Sequence, residues 1–136
     1  MKLRNFEIRE IINNLAGQNS LIYSTEKMPI KILWVIDGNL TKLKEIAERI
    51  DQKQEEINQS YNTEEKSENF TFENGEEGRR VKEEFLQEYR EEINELMMIE
   101  NEVNIETLSI DDFNNISLSP AEFGSIRFML EENKGE

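Results

Sequence analysis

The feature that most constrains this chain is an apolar seam. Ile36, Leu40, Leu43, Ala47, Ile50, Ile57 and Tyr61 follow one another in alternating steps of four and three, with Gln54 the one polar member. Only a helix brings residues so spaced onto one side, in the manner of a coiled coil. Pro29 stands where the first turn would begin, and its missing N–H does no harm there. The pattern predicts a helix over residues 30–61, about 48 Å long at about 1.5 Å per residue. At its start Ile30, Ile32, Leu33, Trp34, Val35 and Ile36 are apolar on every side, which predicts that other elements surround that end and that Trp34 is core. Gly38 is expected to mark a bend or a close approach, at about 1 kcal/mol relative to alanine.

The rest of the chain must cover that seam. A helix is predicted over 3–15, with Ile8, Ile11, Ile12 and Leu15 on one face and Gly17 as its stop. Leu21-Ile22-Tyr23 fits a short extended segment. Residues 62–78 are a polar loop, in which Phe70-Thr71-Phe72 ahead of Asn74-Gly75 fits a small hairpin. A helix over 79–98 would place Val81, Phe85, Tyr89, Ile93 and Leu96 on one face. Val103 and Ile105 alternate with polar neighbours and predict a strand over 103–108, which needs a partner from 20–24, from 70–72 or from another subunit. Ser119-Pro120-Ala121-Glu122 is a capping box opening a helix over 120–132, with Phe123, Ile126, Met129 and Leu130 inward and disorder from Asn133 onward.

These elements make one mainly α domain over 1–136: a long antiparallel, coiled-coil-like helical hairpin with two shorter helices and a small β element. Two helices alone cannot cover so wide a stripe. Leu40, Leu43, Ala47, Ile50 and Ile57 are therefore expected to serve as a core seam or a self-association surface, in a homo-oligomer.

The chain has no cysteine and no histidine. Disulfides, thiolate nucleophiles, Ser-His-Asp chemistry and the usual zinc ligands are excluded with them. A non-enzymatic protein without cofactor or metal is expected. The start MKLRNFEIRE mixes charges with apolar residues and is no signal peptide, and no run is long enough to span a bilayer, so a cytoplasmic protein is expected. Mean hydropathy is −0.74, which suits long amphipathic helices better than a thick core.

Charge is divided unevenly. Residues 1–60 hold nine bases and nine acids, while residues 61–136 hold seven bases and twenty-one acids and so carry the whole net charge of −14. Such a half repels nucleic acid and membranes and attracts basic protein surfaces. On the helix over 79–98, Glu84, Glu88, Glu91 and Glu95 form one stripe opposite Phe85 and Tyr89. Their axial steps of about 4.5 to 6 Å approach the phosphate spacing of a nucleic-acid strand, so the stripe would fit the basic groove of a nucleic-acid-binding protein. The plainer reading is a solvated face, since like charges four apart cost only tenths of a kcal/mol. Glu45-x-x-Glu48 and Glu92-x-x-Glu95 could hold Mg²⁺ if they faced each other, as in all-α nucleotide pyrophosphohydrolases, although the final aspartate of that motif is missing. Lys42, Arg49 and Lys53, interleaved with Glu45 and Glu56, read as a mixed-charge outer surface; Met97 joins the core edge and Met98 the polar face.

The stretches MKLRNFEI, MPIKILWVIDGNLTKLKEI, INELMMIENEVNIETLSI and LSPAEFGSIRFMLEE together resemble a family of small bacteriophage and prophage proteins. The resemblance implies a phage or prophage origin, hence a host-cell cytoplasm, and an α-rich fold. It carries over no site residues. The expected function is a non-catalytic phage-type protein that binds and inhibits a host protein, one that itself binds nucleic acid, through its acidic helical surface, as an anti-defence inhibitor of the anti-CRISPR kind. The alternatives are a phage assembly or structural accessory protein and the Mg-dependent pyrophosphohydrolase.

Overall fold

The computed structural model describes residues 1–17, 28–114 and 116–131. In chain order its elements are β1 (Lys2–Arg4), α1 (Asn5–Ala16), α2 (Ile30–Tyr61), β2 (Ser67–Thr71), β3 (Glu77–Val81), α3 (Glu83–Met98), β4 (Glu100–Glu102) and α4 (Pro120–Ile126), with 3-10 turns at Ile110–Phe113 and Arg127–Met129. The chain is mainly helical, with two small antiparallel sheets, β1–β4 and β2–β3. It divides into two compact units, Met1–Ala47 with Glu100–Glu136, and Glu48–Ile99. The helix expected from the seam is present over its predicted length and belongs to both units.

In the first unit, α2 turns Ile32, Val35, Ile36, Asn39 and Leu43 inward. Ile32, Val35 and Ile36 join Leu15, Met28, Leu108, Ile126 and Met129 in one buried cluster, and Leu43 joins Leu3, Ile8 and Val103 in another. Ile11, Ile12 and Leu130 pack against these clusters, so the expected inner face of α1 is present, and that of the last helix is present except for Phe123, which is half-buried and belongs to neither. The capping box is formed as the sequence requires, with the Glu122 N–H donating to Ser119 Oγ at 3.1 Å and the Ser119 N–H to Glu122 Oε1 at 3.2 Å.

Several boundaries differ from expectation, each for a backbone reason. The strand expected over 103–108 is not formed: residues 103–107 carry no strand, Leu108 makes an isolated bridge, and the strand present is β4 just before them, paired with β1 in the register Lys2↔Glu102, Leu3↔Asn101 and Arg4↔Glu100. Of the expected partners, 70–72 lies in or beside the other sheet, and 20–24 falls outside the described residues, as do Leu21–Tyr23 and everything from 132 onward. Because Lys2–Arg4 is strand, the first helix begins at Asn5, with the Arg4 N–H held by Glu7 Oε1 at 3.0 Å. Beyond Val103 the backbone turns to α2. Asn39, at 0% exposure, accepts from the Glu106 N–H at 2.9 Å and donates Nδ2 to the Glu106 carbonyl at 2.8 Å. Lys42 Nζ donates to the Asn104 carbonyl at 2.7 Å. The helix expected to reach 132 stops at Ile126 and tightens into a 3-10 turn, since Leu108 and Leu130 form a parallel bridge in which the Leu108 N–H donates to the Met129 carbonyl at 2.8 Å.

Trp34 is a clear correction. It is 76% exposed rather than core, as are Ile30 at 83% and Leu33 at 45%. The inward residues occupy one side of the helix, which leaves these three on the other.

In the second unit the expected hairpin is present as β2–β3. Its turn places Gly75 at φ 85, with the Gly75 N–H donating to the Phe72 carbonyl at 2.9 Å, a three-residue connection that needs glycine at the left-handed position. Residues 79–81, expected as helix, are strand because they pair with Ser67–Asn69. Two arginines lace the pair. Arg80 Nε donates to Glu68 Oε1 at 2.9 Å and lies over the Phe70 ring. Arg79 donates to Ser67 Oγ through Nε at 3.0 Å and Nη2 at 2.8 Å, and to Asn69 Oδ1 at 3.1 Å.

Replacing Asn39 tests the first unit directly. Asn39→Ala leaves the Glu106 backbone N–H and C=O without their partners and is expected to cost about 2 kcal/mol in denaturant unfolding. Asn39→Asp is expected to cost more near neutral pH, because a carboxylate would confront the Glu106 carbonyl.

Candidate functional site

Helix α3 carries six glutamates and one arginine in its sixteen residues. Its amphipathicity decides where they go. Leu96 is buried and Phe85, Tyr89, Ile93 and Met97 are half-buried, so Glu84, Glu88, Glu91 and Glu95 stand on the opposite, exposed side, as does Met98. Glu83 and Glu84 occupy the first turn, where a carboxylate is favoured by the helix dipole. Among the described residues none of the four stripe glutamates is in an ion pair; Glu91 accepts from Gln87 Nε2 at 3.2 Å. The stripe is an uncompensated acidic face.

The seam residues fall inside the chain. Leu43 and Ile50 are buried, and Leu40, Ala47 and Ile57 are half-buried; of the five, Leu43 and Leu40 pack in the core clusters of the first unit. Lys42, Arg49 and Lys53 are exposed as expected, with Lys53 Nζ 3.1 Å from Glu56 Oε2. Glu45, Glu48, Glu92 and Glu95 are exposed too, and among the described residues no three acids gather where they could hold a metal ion. No helix of the described residues is long and apolar enough to cross a membrane.

Beneath the acidic face is a group that sequence reasoning placed only as the end of the seam. Tyr61 is 2% exposed and meets Tyr89 edge to face, with ring centroids 5.2 Å apart. Lys66 Nζ stands 4.8 Å from the Tyr61 centroid and 5.7 Å from that of Phe85. Tyr89 donates its hydroxyl to Asn58 Oδ1. The Tyr61 hydroxyl itself is buried and makes no hydrogen bond of normal geometry. Burial, and then the nearby carboxylates of Glu92 and Glu88, push its phenol well above the ordinary range. Beside it opens a cleft of about 420 Å³ lined by Asn58, Ser67, Arg79, Arg80 and Tyr89 among others. Nothing in the periodicity marks this cleft, since by period alone Arg79 and Arg80 belong to a helix and Ser67 to a polar loop. The one legible cue was two adjacent arginines ending a stretch dense in glutamate.

Tyr61→Phe removes an unpartnered buried hydroxyl and is expected to raise stability by up to about 1 kcal/mol at pH 7. The raised folded-state value means that the folded chain keeps this proton where the unfolded chain has lost it. The stabilisation linked to it is complete below the unfolded phenol value and falls as pH climbs through and beyond that value. The wild-type chain is therefore expected to lose stability above about pH 10, and Tyr61→Phe to lose less, in urea titrations at pH 7 and pH 11.

With the geometry of the face established, comparison of the chain with family models, with curated proteins and with solved structures finds no match.

Proposed function

We propose that this is a non-catalytic phage-type protein that binds a host protein through the outer face of α3 and blocks it, the blocked protein being one that itself engages nucleic acid, as in anti-defence inhibition. The observation that carries the reading is the row Glu84, Glu88, Glu91 and Glu95, exposed together and free of ion pairs among the described residues. A carboxylate already paired with a lysine has little left to offer a partner, whereas none of these four is neutralised by a cation among the described residues, which leaves the row's charge to an incoming basic groove. The phage character rests on the resemblance drawn from the sequence. In this reading the last turns of α2 and α3 are the arms of an antiparallel coiled-coil-like hairpin joined by β2–β3. The Tyr61–Tyr89 and Asn58–Tyr89 contacts support that pairing at one end and hold the acidic row on a rigid helix.

The test is affinity capture from bacterial lysate with the wild-type chain and with a variant carrying Glu→Lys at all four positions. A nucleic-acid-binding protein is expected with the wild type, to be displaced by added DNA and by about 0.5 M salt, where the screening length falls below about 5 Å. The variant is expected to bind that protein at least about 100-fold more weakly. Equal capture by the two chains would overturn the proposal.

A further inference from the structure

Ile30 and Trp34 stand exposed on the outer side of α2 in one i, i+4 row that continues to the half-buried Gly38, with Leu33 beside Trp34. Tryptophan is seldom left 76% exposed, and here it has two exposed aliphatic neighbours. Taking about 200 Å² for an aliphatic side chain and about 250 Å² for the indole, the three present roughly 400–500 Å² of apolar surface. The row also contains its own complement. A Cβ built at Gly38 meets nothing within 4 Å, so the glycine is an open notch one turn beyond the tryptophan.

We propose that a second copy of this chain covers this face. The two α2 helices would cross antiparallel about a two-fold axis lying between positions 34 and 38, with Trp34 of each copy set into the Gly38 notch of the other. Three observations point to a second copy rather than to an unrelated partner. The knob and its notch lie on the same row at reciprocal positions, which is what an isologous contact requires. Over residues 30–45 the helix that carries the face holds Lys31, Lys42 and Lys44 against Asp37 and Glu45, so the contact itself sets no block of like charge against another, whereas pairing the outer faces of α3 would set four carboxylates against four. The charges bordering the row are of both signs, Lys31 (paired with Asp112 at 2.9 Å), Asp37 and Lys44. The area is sufficient as well. Two such faces with their polar rim reach the roughly 1,000 Å² at which a specific interface becomes stable.

Trp34 is the only tryptophan in the chain, so its fluorescence reports on this face alone. The experiment follows sedimentation and tryptophan emission of the full chain across a wide concentration range. The expected result is a species of twice 16.1 kDa at high concentration, with the emission moving to shorter wavelength at the same midpoint. Trp34→Glu is expected to remain folded and to stay monomeric throughout. Gly38→Leu keeps the tryptophan and adds helix propensity where there is room, so the fold is expected to hold while the notch is filled and the dissociation constant rises at least about 30-fold. Three results would each overturn the proposal: a wild-type monomer with water-exposed emission at every concentration, a monomer whose emission is already that of a covered indole at the lowest concentration, or dimerisation of Gly38→Leu equal to wild type.

Discussion

The first unit depends on one side chain of α2 acting as a piece of backbone. Asn39 offers a carbonyl and an amide N–H in the arrangement that a neighbouring strand would present, and Glu106 takes both. The segment after β4 is held by backbone partners at its two ends, Val103 by Met1 and Leu108 by Met129 and Glu131, so the polar groups between them must be satisfied some other way if it is to lie against the core. Asn39 and Lys42, on adjacent sides of the same helix, supply that. The apolar residues on either side, Val103 and Leu108, can then be buried without stranding the amides between them. A leucine at position 39 would suit the hydrophobic pattern better and would leave the Glu106 N–H and carbonyl without these partners.

What the sequence made legible follows from how far each element's cause extends along the chain. Helix α2 was readable because its seam repeats over many turns, and α4 because Ser119, Pro120 and Glu122 state a cap in four residues. The turn at Asn74–Gly75 was readable because Gly75 adopts a left-handed conformation that few residues tolerate. The β1–β4 pair was not readable. Each strand has three residues, too few for alternation to show, and the partners are about a hundred positions apart. Arg79–Val81 were drawn into α3 because Val81 fits the helical period, whereas pairing with Ser67–Asn69 decides their state.

Trp34 and the acidic row show two ways in which composition misleads. An apolar run on all sides of a helix reads as enclosure, yet a helix of this domain has one inner side, and the residues opposite it stay outside whatever their chemistry. The glutamates of α3 lie on the exposed side that charge and period both indicate, and the half-buried Phe85, Tyr89 and Ile93 fix the side they must avoid. Tyr61 lies between these cases. It belongs to the apolar seam by spacing, and its hydroxyl ends beside the carboxylates of the neighbouring helix.

The order of the two units along the chain also bears on how the molecule assembles. The first unit is discontinuous, made of 1–47 and 100–136, while the second is the uninterrupted stretch between them. Hairpin β2–β3 and the helices flanking it are neighbours in sequence and can form with little loss of loop entropy. Pairing β1 with β4, and packing Leu3 and Leu43 against Val103, must bring together ends separated by that whole stretch. A nascent chain would thus have the whole inserted piece in hand while the outer one still waits for the residues from Glu100 onward, so the surroundings of α1 are settled only after the second unit is complete.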